Sequence, residues 1–287
     1  MTEAADFSWA ALLNARTEKR PLIAGIVNAT PDSFSDGKGT VENSERVAFA
    51  LQLLDEGADI IDLGGESTRP GAQEVDPLEE WNRIEPVLHG ILARRPDAVI
   101  SIDTRHAATA ARALENGAQI INDVSGLEFD STLPRVIAGF QAGAILTHST
   151  TIPEFMQTPG NYLDYDTVDT VQNSLQNILN NALKSGIRRE KIMLDVGIGF
   201  GKSRSANYAL LRRASWLEKS FSLPFCWGVS RKSLLKQEPD TLEKRIAGSL
   251  ALAIKLAEQG VALLRVHDVA STLAALAAVR EMESSGV

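Results

Sequence analysis

Short apolar runs recur along the chain, and the stretches between them place apolar residues three and four positions apart. The runs are LIAGIV from Leu22, DIIDL from Asp59, AVISI from Ala98, QIIN from Gln119, AILT from Ala144, KIMLD from Lys191, PFCWGV from Pro224 and ALLRV from Ala262. Segments such as ERVAFALQLLDEG, EEWNRIEPVLHGILARR, AATAARALENG and LEKRIAGSLALAIKLAEQG have helical periodicity. Continuous apolar strands are the kind buried on both faces, and strict strand-then-helix order belongs to parallel sheets. Eight such units predict an α/β fold closed into a (β/α)8 TIM barrel, with an open doubly wound sheet as the alternative.

An internal echo supports the repeat: GADIID, GAQIIN, GAILTH and GVALLR each set glycine before an apolar strand and a polar residue after it. Gly57, Gly117, Gly143 and Gly260 are therefore expected in left-handed turns that end helices. No Pro/Ser-rich linker interrupts the pattern, so residues 1–287 read as a single domain. The N-terminal ~20 residues are expected to form an extension or a helix at the barrel bottom.

In a closed parallel barrel all strand C-termini open on one face. The polar residues at or just after those ends are Asn28, Asp62, Asp103, Asn122, His148, Asp195, Ser230 with Lys232, and Arg265 with His267. Asp103, Asn122 and Asp195 suit the amino and ring-NH edge of a flat heterocycle, because carboxylates accept and an amide both donates and accepts. A metal is the second reading of that trio, opposed by the nearby cations Lys232 and Arg265. Asn28 could supply one oxygen to magnesium if an anionic ligand supplied others.

Composition narrows the partners. A net charge of -8 disfavours a general nucleic-acid surface, so any phosphate recognition must be local. The acidic start lacks a signal-type apolar core and no run approaches a membrane span, so the chain reads as cytoplasmic. Cys226 within LPFCWGV is expected to be a buried structural thiol, and the four histidines have no zinc spacing.

Two long loops are expected to act as movable active-site lids, NATPDSFSDGKG after the first strand and GGESTRPGAQEVDP after the second. Phe34 could cover a flat substrate or pack within its loop, and Arg69 could bind an anion or be solvated. GIGFGKS lacks Walker spacing and reads as a tight turn. SRKS, from Ser230, precedes a helical segment whose N-terminus could receive a carboxylate.

Taken in order, GIVNATPDSFSDG, GADIIDLGGESTRPGA, ISIDT, GAQIINDVSG, GIGFGK, SRKS and RVHDV resemble the signature blocks of the dihydropteroate synthase family, from about Leu22 to about Val269. The resemblance implies condensation of 6-hydroxymethyl-7,8-dihydropterin diphosphate with p-aminobenzoate, releasing diphosphate, on the route to folate. It implies pterin binding by Asp103, Asn122, Asp195 and Lys232. Asn28, Arg69, Arg265 and His267 would hold diphosphate, Asn28 also touching Mg2+. Phe34, Thr68, Pro70 and Ser233 would line the p-aminobenzoate site, which sulfonamides would share. Lys232, Arg265, His267 and Asp103 would form the catalytic set, and a homodimer is expected. The chain departs from the family pattern at Thr147, Val196 and Lys236, among others, and Thr147 would replace an apolar wall of the pterin pocket. Two other readings stay open: a pterin-binding methyltransferase, and an inactive paralogue serving as a binding protein.

Overall fold

The computed structural model describes residues 7–15, 20–30, 42–67, 72–150 and 167–285. Every expected apolar run becomes a strand: β1 Leu22–Asn28, β2 Ile60–Gly64, β3 Ile100–Asp103, β4 Ile120–Asp123, β5 Gly143–Thr147, β6 Ile192–Asp195, β7 Phe225–Trp227 and β8 Leu263–Val266. They pair in sequence order, all parallel, and β8 returns to β1 to close the barrel. The open doubly wound alternative is thereby excluded.

Helices α2 Asn43–Asp55, α3 Pro77–Leu92, α4 Ala107–Glu115, α5 Leu133–Phe140, α6 Thr167–Lys184, α7 Arg204–Leu211, α8 Ala214–Phe221, α9 Leu242–Glu258 and α10 Val269–Ser284 follow the strands. Local chemistry sets their starts. The Asp76 carboxylate accepts from the Leu78 and Glu79 amides at α3, with Pro77 in the first turn, and Ser203 does the same for Ala206 at α7. Such caps are worth about 1 kcal/mol each.

Strand alternation then divides the barrel interior into an apolar floor and a polar mouth. Ile60, Ile120, Ile145, Met193 and Leu263 share one buried interior cluster. Two positions further along the same strands stand Asp62, Asn122, Thr147, Asp195 and Arg265. Because side chains repeat every second residue, each floor residue commits the next inward position to the mouth.

A short helix, α1 (Trp9–Asn14), closes the floor. Trp9 packs into the interior cluster and its indole N–H donates to the Lys191 carbonyl at 2.8 Å. The described part of the N-terminal region is thus a helix at the barrel bottom. Gly57, Gly117 and Gly260 adopt the expected left-handed turns, with φ of +103°, +100° and +78°. Gly143 does not: it is the first residue of β5, and the left-handed turn after α5 falls on Gln141. Gly143 is small for a packing reason, since a Cβ there would lie 2.5 Å from the Phe7 ring.

Candidate active site

The register places four strand ends on one level of the mouth: Asn28 opposite Gly64, Gly64 opposite Asp103, and Asp103 opposite Asn122. Across from them Arg265 reaches inward from β8. Its Nε donates to Asp62, and its Nη2 donates to Asp103 at 2.7 Å. Asn122 Nδ2 also donates to the Asp62 carboxylate, at 3.2 and 3.4 Å from the two oxygens. Asp62 is 1% exposed, so its bonds to Arg265 and Asn122 are shielded from solvent.

Burial is the strongest influence on these groups. It pushes the Asp103 carboxyl up, with Arg265 pulling the other way. Burial alone would lower Arg265, yet Asp62 and Asp103 together raise it, so the guanidinium stays charged. That guanidinium occupies one Asp103 oxygen and places a positive charge beside the Asp103, Asn122 and Asp195 trio, which opposes a cation there.

The opposite wall is built by β6 and the loop behind β7. Asp195 Oδ1 accepts from the Gly197 amide at 2.7 Å, and burial raises its pKa while that bond and Lys232 lower it. The Lys232 ammonium lies 4.4 Å from the Phe200 ring centre. Although half-exposed as a whole residue, Lys232 is walled in by the mouth; burial and Arg265 lower it to about 8, against Asp195 and Asp103. Asn122, Val124, Thr147, Asp195, Ile198, Phe200, Gly228, Lys232 and Arg265 line one narrow cleft. Four residues expected from the sequence to meet a heterocycle, or to hold its leaving group, thus line a single space. Thr147 lines it too, as its strand position predicts.

GIGFGKS is a turn, as expected, and it hides a lysine. Lys202 is 4% exposed, and its ammonium donates to the carbonyls of His148, Gly197 and Phe200 at 3.1, 2.9 and 3.0 Å. Burial lowers it to about 7, while Asp195 acts in the other direction. Gly197 is obligatory here, because at its φ of +68° a Cβ would lie 1.9 Å from the His148 carbonyl oxygen. His148 is buried and lowered to about 3 by burial and by Lys202, so it stays neutral.

The β8 loop joins the β7 loop. Ser230 Oγ accepts from the His267 amide at 3.2 Å and lies 3.0 Å from its Nδ1, and Arg231 pairs with Asp268. SRKS does not open an α-helix: Ser233–Leu235 form one 3-10 turn, and α9 begins at Leu242. So short a turn has little dipole to offer a carboxylate. Ser233 is exposed at the rim and Asn28 half-buried there. Phe34, Thr68, Arg69 and Pro70 lie outside the described residues, as do residues 31–39 of the first expected lid and 68–71 of the second.

Sequence reasoning assigned no role to Asp62, Phe200 or Lys202. Asp62 was visible as a strand-end carboxylate, whereas nothing in the spacing of GIGFGKS marks its lysine as buried. A further buried group lies behind β3: Thr104 donates to Glu80 at 2.8 Å, and Glu66 takes Arg105 and His106 at 2.7 and 3.1 Å. Glu66 stands at the root of the second long loop and ties it to the β3–α4 connection. Cys226 is a buried thiol pushed well up by burial, which makes it inert.

The fold and its mouth define a class, the pterin-binding barrel enzymes, and the family model "Pterin binding enzyme" matches residues 24–267. A dihydropteroate synthase of Neisseria meningitidis serogroup B is 40% identical over 264 residues, covering 90% of this chain and 91% of its own length. Solved dihydropteroate synthases are similar throughout. One from Yersinia pestis with a sulfonamide drug has a TM-score of 0.85 at 38% identity, covering 93% of this chain and 95% of that one. Another from Xanthomonas albilineans with 4-aminobenzoic acid has a TM-score of 0.82 at 36% identity, covering 92% and 94%. The chain belongs to the dihydropteroate synthase family.

Proposed function

We propose that the protein is a transferase that joins 6-hydroxymethyl-7,8-dihydropterin diphosphate to p-aminobenzoate, forming 7,8-dihydropteroate and diphosphate. The observation that carries this reading is the convergence of Asp103, Asn122, Asp195, Lys232 and Arg265 at one barrel mouth. Asp195 and Asn122 accept from the amino edge of the pterin, while Lys232 donates to its carbonyl edge. Asp62, Asp103 and Asp195 face Arg265, Lys232 and Lys202, and this near balance suits an uncharged heterocycle.

Arg265 has five N–H donors, and Asp62 and Asp103 use two of them. The remainder, with His267 two residues further on, face charge developing on the departing diphosphate. Each well-placed donor of this kind is worth roughly 3–4 kcal/mol. No protein nucleophile is required, because loss of diphosphate leaves a pterin-stabilised methylene cation for the arylamine to attack. Water would capture the same cation, so the loops carrying Phe34, Thr68, Arg69 and Pro70 are assigned to covering it, Arg69 against the diphosphate. Phe34, Thr68, Pro70 and the rim residue Ser233 take p-aminobenzoate, and sulfonamides compete there.

No group of three or more His, Cys, Asp or Glu among the described residues is arranged to hold a metal. Asn28 offers one rim oxygen, which fits a magnesium ion whose other ligands are diphosphate and water. Such an ion would supply charge neutralisation to the leaving group. No described helix is long and apolar enough to cross a membrane. Two copies are proposed to pair through their helices; Leu183 of α6 and Trp216 of α8 leave apolar surface exposed.

A two-substrate assay of diphosphate release tests the reading. Release requiring both substrates, and its loss in Asp103→Ala with the fold retained, is expected. Methyl transfer to a corrinoid protein without diphosphate release would restore the methyltransferase reading, and absence of pterin binding by folded protein the inactive-paralogue one.

A further inference from the structure

Asp62 does not line the cleft, yet it touches two residues that do. Its carboxylate has no hydrogen to give, so both neighbours must donate to it: Arg265 through Nε, and Asn122 through Nδ2 at 3.2 and 3.4 Å. An asparagine side chain has one donating and one accepting end. With Nδ2 committed to Asp62, Asn122 has its Oδ1 left for the cleft that it lines. Asp62 and Asn122 stand on β2 and β4, with β3 between them, and Asp62 is 1% exposed, so water does not compete for the bond.

We propose that Asp62 is a specificity-determining positioning residue: it locks the Asn122 amide with its acceptor toward the ligand, and thereby makes this wall of the cleft select a heterocycle edge that donates. The inference deepens the proposed pterin reading and rests on it. The same carboxylate aims Arg265, so one buried acid sets the polarity of the ring-binding wall and the direction of the leaving-group cation together.

The isosteric change Asp62→Asn makes the role visible. Arg265 can only donate, so it claims the one remaining oxygen, and the new amide nitrogen faces Asn122 Nδ2, donor against donor. Turning the Asn122 amide over relieves the conflict and presents a donor to the cleft. The exchange Asp62→Asn with Asn122→Asp reverses the bond and returns an acceptor to position 122.

Isothermal titration with 6-hydroxymethylpterin and with its 2-oxo counterpart, a lumazine, tests this on the whole protein, with thermal unfolding alongside. The unsubstituted protein is expected to prefer the pterin. D62N is expected to bind the pterin roughly 10- to 100-fold more weakly and to lose most of its preference over the lumazine. The double exchange is expected to recover most of the lost preference. A uniform loss for both ligands, an unchanged preference in D62N, or a cooperatively folded double exchange without recovery would overturn the inference. Absence of pterin binding by the unsubstituted protein would instead overturn the functional reading beneath it.

Discussion

Arg265 Nη2 lies 2.7 Å from Asp103 Oδ2, joining β8 to β3 across two intervening strands. The same guanidinium holds Asp62, so it neutralises two buried carboxylates at once. Removing it by Arg265→Met leaves those acids facing each other without a counter-charge, which costs about 3–5 kcal/mol when a buried pair is broken. Diphosphate release is expected to fall at least about 100-fold, with a lowered melting temperature and a weakened pterin affinity. Arg265→Lys is expected to recover little, because an ammonium cannot reproduce the two-carboxylate fork. Calorimetry and the release assay check this; near-normal turnover in Arg265→Met would refute it.

Lys232 supplies a pH limit. Burial and Arg265 lower its pKa to about 8, so its proton is present at neutral pH and lost as pH rises through that value. The kcat/KM for the pterin diphosphate is expected to decline above about pH 8, and Lys232→Met to be slow throughout with that limb gone. A pH–rate series on both proteins decides the matter, and an unaltered alkaline limb in Lys232→Met would assign it to another group.

Lys202 reaches the cleft through backbone. Its three carbonyl partners hold the His148 strand end against the turn carrying Gly197 and Phe200, and that turn supplies the amide on Asp195 and the ring beneath Lys232. Lys202→Met is expected to lower stability by roughly 2–4 kcal/mol and to weaken pterin binding as well. Chemical denaturation and pterin titration measure the two effects. Destabilisation with unchanged pterin affinity would confine Lys202 to a structural role.

Away from the mouth, Glu218 of α8 accepts from the Trp227 indole at 3.1 Å and from the Ala262 amide at 3.2 Å. Burial raises it to about 7 despite those bonds. A raised carboxyl holds its proton more tightly in the folded state, so its contribution is fully present below about pH 4.5 and lost as pH rises through about 7. Glu218→Gln keeps an acceptor and cannot ionise. Its melting temperature is expected to decline less between pH 5 and pH 8 than that of the unsubstituted protein. Parallel slopes in scanning calorimetry would contradict the assignment.

Much of the fold and part of the site are legible along the chain. Strand and helix periods predict eight alternating units, and in such a barrel the residue two past an inward apolar position also faces inward. Asp62, Asn122, Asp195 and Arg265 could therefore be read as mouth residues before any contact was seen. Gly143 shows the limit of pattern: it repeats the GA-strand echo of Gly57 and Gly117, but packs against Phe7 and does not turn the chain.

Partner choice belongs to the closed barrel. Asp62 and Arg265 are 203 positions apart in sequence, Asp62 and Asn122 are 60 apart, and Lys202 reaches a carbonyl 54 positions away. Side-chain direction follows from local backbone geometry, which is written in neighbouring residues. Hydrogen bonding depends on separations of a few tenths of an ångström between strands that meet only when β8 closes on β1, and on water being excluded from between them. The sequence by itself thus determined which residues face the mouth; ring closure decided which of them hold one another and which remain for a ligand.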